Sequence, residues 1–477
     1  MPKINIMKKL LSSIVLSIIS ICTVYAQGII YQKNLDEAIA QASKSNKPIF
    51  VYLSSPMPVG QNVPANLHFN NSTGLDDKKV AEYFNKKFIC FHPSTADSAG
   101  LKFSRKYQVT LFPTYIFLDQ KGEMFYKDSK NSIDPERYMS MAGEVVGRFA
   151  ANKTISYYAQ LDKQGSITQQ QLKEYISLKE SLGLYDNAAL INEYVNSLTI
   201  KSFDDYQDVL FILEAGPYAY GKVYNLAFTN RKITDSIFKK ESGALQAAIF
   251  NRIINNTENE AIRTKNVAMA QNAASYVRSL KSRNYKDANQ WYSFELMKYY
   301  WEVKDTTQYY RSASSYYDTY FLSISADSAK KLQQNVLENL KKRSSRADTV
   351  IQRTKDNTIR QMSVIRSFGP ESSTEQKNGS TVANALNTAA WDFYTLGTHN
   401  TDYLIKALVW SKRSIELQPN YAYYDTIAHI MYRLEFYEEA VVNQNKAIEL
   451  AANEQRVSQT EKDKLKAELA KMQAHKL

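Results

Sequence analysis

A change of hydrophobic period near residue 150 constrains this chain more than any other feature. Before it, apolar runs of strand length alternate with helical patterns; after Ala151, apolar and aromatic residues recur only at three- and four-residue spacing. Alternation of strands and helices points to an α/β layer, whereas an unbroken series of helical patterns points to stacked hairpins that bury one another without a sheet. Two parts at least are also required by the 477 residues, which exceed what one hydrophobic core accommodates.

In the first part, residues 34–45 place Leu35, Ala38, Ile39 and Ala42 on one helix face behind Asn34, a candidate N-cap. Asn46-Lys47-Pro48 ends this helix, and Ile49 to Leu53 is continuously apolar and β-rich, as for a strand covered on both faces. A helix over about residues 76–85 leads into a strand at 88–91, and a short helical pattern follows at 98–107. Strands at 115–118 and 124–126 flank a turn at Gly122, and residues 134–149 supply a closing helix.

This order, with K-P-I-F-V at 47–51, F-P-T at 112–114 and Y-I-F-L-D at 115–119, resembles the thioredoxin fold over residues 27–150. It is most similar to exported bacterial thioredoxin-like proteins whose strand begins with a Lys-Pro pair. The resemblance implies that Pro113 is cis, although a given X-Pro bond is cis only about one time in twenty. It also implies a groove beside Pro113 that takes extended peptide by backbone pairing, lined by Phe112, Pro113 and Thr114 and by Met57, Pro58, Val59, Gly60 and Gln61. Where the family carries W-C-x-x-C, this chain has only that Met57 to Gln61 run. A thiol-disulfide enzyme needs an activated thiolate there and a second cysteine to resolve the mixed disulfide, so the expectation is a redox-inactive domain. The loop over 56–72 is long and rich in Gly, Asn and Pro, which suits a reshaped surface. Serine catalysis at Ser54 or Ser55 would need His68 or His92 to reach it from elsewhere, and a lone loop histidine is ordinarily exposed or structural.

Lys3, Lys8 and Lys9 precede an apolar run from Leu10 to Cys22, and Val24 and Ala26 are small. Residues 1–26 thus read as a signal peptide cut after Ala26, which directs an exported, periplasmic protein. A lipoprotein is the weaker reading, because Ile21 before Cys22 is not small. Cleavage would leave Cys90 as the single cysteine of an oxidising compartment. Its flanks, Phe88-Ile89 and Phe91, suit a buried small hydrophobe; the alternative is an atypical oxidoreductase in which Cys90 acts with a partner's thiol. The formal charge of +12 is spread along the chain and forms no concentrated stripe, so nucleic acid is not an expected partner.

The second part divides at 369–380, a run of Gly, Pro, Ser, Glu and Lys that reads as a linker between helical regions at 151–368 and 381–477. Helices are expected at 169–182, 185–198, 204–214, 233–255, 259–283, 285–303 and 307–321. In the last region Ala407 with Ile415-Glu416-Leu417 recurs 33 residues later as Ala440 with Ile448-Glu449-Leu450. Ala390-Trp391 and Ala428 with Tyr432 occupy the preceding helices, and Pro419 follows the first copy. This pattern resembles tetratricopeptide repeats, whose small residues let paired helices approach, and it extends the expected fold class to a helical solenoid closed by a polar helix at 460–473.

Trp391 and Trp410 read as core, the basic cluster at 341–346 as a solvated face, and the 34 tyrosines as a compositional bias or as rings at helix surfaces. No nucleotide loop or metal-binding helix motif is present, so no cofactor or metal is expected. The expected activity is non-catalytic binding of a protein or peptide partner in the envelope; a glycan-binding role through the tyrosines is the remaining alternative.

Overall fold

The computed structural model describes residues 28–54, 73–94, 98–109, 111–281, 285–332, 334–335, 338, 382–455 and 457–477. The expected signal peptide at 1–26, Met57 to Gln61, His68, the cluster at 341–346 and the expected linker at 369–380 lie outside them. The described residues form two compact units, one ending at Tyr185 and one running from Asp186 to Leu477.

The first unit is an α/β domain. Its strands are β1 (Tyr31–Gln32), β2 (Ile49–Leu53), β3 (Ile89–Phe91), β4 (Thr114–Leu118) and β5 (Met124–Asp128), in the order β1-β3-β2-β4-β5. β1 and β2 run parallel to β3, while β4 pairs antiparallel with both β2 and β5. All five residues of β4 are buried, and four of the five in β2, which is why both read as continuous apolar runs. Helices α1 (Leu35–Ser45), α2 (Lys78–Lys87), α3 (Ser98–Lys106) and α4 (Pro135–Ala150) connect the strands.

Local signals set these helix ends. Asn34 accepts the Glu37 N–H at the start of α1, and Asn46 closes it in the left-handed region at φ 52°. Asp134 caps α4, with Pro135 at the first helical position. Between β2 and α2 the 3₁₀ turn Gly74–Asp76 runs under the start of α4, where a Cβ on Gly74 would come within 2.6 Å of the Asp134 carbonyl. Only glycine fits that approach. One face of the sheet buries Phe50, Phe84, Phe88, Phe117, Tyr115 and Tyr138, with ring centroids 4.8 Å apart for Phe50–Phe84 and 5.1 Å for Phe88–Phe117. The unit continues through α5 (Ile155–Lys163) and α6 (Gln169–Ser181), joined by a hydrogen bond from the Tyr158 hydroxyl to Glu174 at 2.7 Å; α6 lies against β5.

The second unit is helical throughout its described residues: α7 (Ala188–Asn196), α8 (Tyr206–Glu214), α9 (Lys222–Ala227), α10 (Arg231–Lys240), α11 (Gly243–Thr264), α12 (Val267–Leu280), α13 (Tyr285–Glu302), α14 (Thr306–Tyr317), α15 (Val382–Thr395), α16 (Thr401–Leu417), α17 (Tyr421–Arg433), α18 (Tyr437–Asn453) and α19 (Gln459–Gln473). The single helices expected at 233–255 and 259–283 are re-divided. Ser242 accepts the Leu245 N–H and starts a new helix, which runs on to Thr264 and stops at Lys265 with φ 52°. A side-chain cap and a left-handed residue thus override a continuous apolar pattern. The tyrosine surplus is partly core: Tyr309, Tyr310, Tyr316 and Tyr317 of α14 are all buried.

In the last five helices, α15 packs on α16, α17 on α18 and α18 on α19. Ala390, Ala407, Ala428 and Ala440 are fully buried, as close helix approach requires. Trp410 is fully buried too, and its indole N–H donates to Asp318 at 2.7 Å. Trp391 is partly exposed and stacks on Tyr394 at 5.2 Å, with its edge on His429 at 5.3 Å. Tyr432 is half-buried against Tyr437, and Pro419 is exposed between α16 and α17. Among the described residues no helix is long and apolar enough to cross a membrane.

Candidate functional site

The ends of β2 and β3 and the start of β4 meet at one edge of the first unit's sheet. Leu53 pairs with Thr114, so the chain leaving β2 at Ser54 runs beside the chain entering β4 through Phe112 and Pro113. The Phe112–Pro113 peptide is cis, and Thr114 is 1% exposed with its hydroxyl donating to the Leu111 carbonyl at 2.6 Å. Of the expected groove residues, Phe112, Pro113 and Thr114 are therefore together at the β2 exit, and Met57, Pro58, Val59, Gly60 and Gln61 fall outside the described residues.

Parallel pairing of β2 with β3 brings a further group to this edge. Val51 sits opposite Phe91, so His92 emerges next to Ser54, and its Nε2 lies 3.1 Å from the Ser54 hydroxyl oxygen. The imidazole stacks on Tyr52 at 4.8 Å and leans on Tyr31 at 5.3 Å. Tyr52 in turn stacks on Tyr115 at 5.6 Å, whose hydroxyl is 3.0 Å from that of Tyr138. Partial burial lowers the His92 pKa from its usual value, which favours the neutral ring at pH 7. Sequence reasoning left this pair apart because 38 residues separate its members, and only the strand register closes that gap.

Cys90 of β3, two residues before His92, lies opposite Tyr31 and Phe50 and is 2% exposed. Burial pushes its thiol up to about 12, with Lys47 pulling weakly the other way. A thiol held protonated in a sheet interior is a poor nucleophile. Among the described residues there is no group of three side chains suited to a metal ion. No family model matches this chain, and no curated protein matches it closely enough to count as a relative.

The second unit carries its own polar clusters, which sequence reasoning did not find. Glu258 of α11 accepts from Lys298 of α13 at 2.6 Å, and Lys298 also lies 3.7 Å from Glu295. His429 of α17, 4% exposed, sits 3.6 Å from Asp425 and 3.7 Å from Glu468 of α19. Both clusters are interior to helix packing, and their residues are far apart in sequence or hidden among ordinary surface charges.

Proposed function

We propose that this protein is an exported, redox-inactive member of the thioredoxin-like class whose Pro113 groove and tetratricopeptide-like helices bind a protein or peptide partner in the cell envelope. The Leu53–Thr114 register carries this reading, because it sets the exit of β2 alongside the Phe112–Thr114 turn and leaves Phe112 and Pro113 partly exposed there without an accessible thiol. The sheet order, the buried alanines of the last helical hairpins and the amino-terminal segment, in which Lys3, Lys8 and Lys9 precede an apolar run, all support the same picture. An extended segment bound at this corner would be held without covalent chemistry.

Photocrosslinking tests the proposal directly. Benzoylphenylalanine in place of Phe112 in the full chain is expected to capture a discrete polypeptide from envelope extract, and the same residue in place of Val442, 67% exposed on α18, reports on the helices. Absence of an adduct at both positions, or dithiol-dependent insulin reduction by the purified protein, would overturn it. A second reading, hydrolysis by Ser54 with His92 as base, has the 3.1 Å contact in its favour. No acidic side chain pairs with His92 among the described residues to orient it, and the expected result is no Ser54 labelling by a fluorophosphonate.

A further inference from the structure

At the end of the sheet remote from Pro113, a cavity of about 730 Å³ opens between the start of β2, the end of β4, the last turns of α2 and α4 and the first turn of α5. Lys47, Lys86, Lys87 and Lys121 line it. None of these four ammonium groups has an ion-pair partner among the described residues. The one carboxylate in the lining, Asp119, accepts through Oδ1 from the backbone N–H groups of Lys121 and Glu123, each at 2.9 Å. Four ammonium groups against one carboxylate leave the concave surface with an excess of positive charge, which costs free energy, and an incoming anion relieves that cost.

The rest of the lining is not that of a plain salt site. Val146 and Phe149 of α4 and Tyr157 of α5 give it an apolar and aromatic side, and the Ser156 hydroxyl is enclosed in the wall without a hydrogen-bond partner. Lysines at helix ends are common compensation for the helix dipole, which accounts for Lys86 and Lys87. It extends to Lys47, which follows the Asn46 cap of α1, but it does not account for Lys121, which lies in the turn after β4. A volume in the range of small-molecule sites, cationic at one side and apolar at the other, matches a small amphipathic anion.

We infer that this cavity binds a small organic anion, its phosphate or carboxylate among Lys47, Lys86, Lys87 and Lys121 and its apolar body against Val146, Phe149 and Tyr157. The site is independent of the Pro113 corner, and the two readings fail separately. In titrations of the full chain, 2-naphthyl phosphate is expected to bind saturably, and more tightly than either 2-naphthol or inorganic phosphate. The K86Q/K87Q variant is expected to weaken it about tenfold, equivalent to about 1.4 kcal/mol, and added salt to weaken it further. Ala150→Trp, an exposed lining position, should block the cavity while leaving the circular dichroism unchanged. Parallel titration with 2-naphthoate distinguishes a carboxylate ligand from a phosphate one; tight binding of either supports the inference. It is overturned if neither anion binds saturably, if 2-naphthol binds as tightly, if both variants bind as the parent does, or if lysine-dependent binding occurs only on phosphatidylglycerol vesicles.

Discussion

Two buried titratable side chains behave oppositely to their solvent-exposed counterparts. Cys90 keeps its proton at neutral pH because the sheet interior disfavours the thiolate, with its pKa pushed up to about 12. Iodoacetamide at pH 8 is therefore expected to label the native protein on the order of a thousandfold more slowly than the urea-unfolded chain; comparable rates would contradict the buried position. Glu258 is pushed up to about 7, first by burial and then by Glu295 beside it, against the pull of Lys298. The folded state thus retains a proton that the unfolded chain releases near the ordinary carboxylate pKa. The stabilisation from that proton is present at acid pH and is lost as pH rises from about 4.5 through about 7. Glu258→Gln should leave stability little changed at low pH and raise it at pH 8 by about 1–3 kcal/mol, measured by urea unfolding. Equal effects at both pH values would count against this account.

At the scale of elements, paired helices depend on their small residues. Ala440 is fully buried where α18 meets α17, so Ala440→Leu should cost about 1–3 kcal/mol, whereas Val442→Leu on the exposed face should be near neutral in the same unfolding assay. These positions were readable in the chain because one residue type recurs at a fixed spacing. Four of the five strands were readable from apolar runs such as Ile49 to Leu53, which burial on both faces leaves; β1, two half-buried residues long, carried no such run and was missed. The break at Ser242 was not readable either, because one hydroxyl accepting one backbone N–H interrupts a helix without interrupting its apolar pattern. The Ser54–His92 contact and the four-lysine cavity were also hidden. Each is assembled by strand register from residues that are distant along the chain and unremarkable alone.

At the scale of the molecule, the division at Tyr185 and Asp186 sets what unfolds with what. Two units with separate cores are expected to melt in two calorimetric transitions, and Glu258→Gln at pH 8 should move only one of them. Movement of both by equal amounts would show that the units unfold together. The cover that α6 places on β5 has a different consequence. An open sheet edge is a template for any passing strand, including one from another copy of the same chain. Here the β5 side carries Lys127, whose ammonium donates to the Tyr107 and Gln108 carbonyls, and the other side ends in β1, only two residues long. Folded molecules of this protein are therefore poorly equipped to add to one another edge to edge through this sheet.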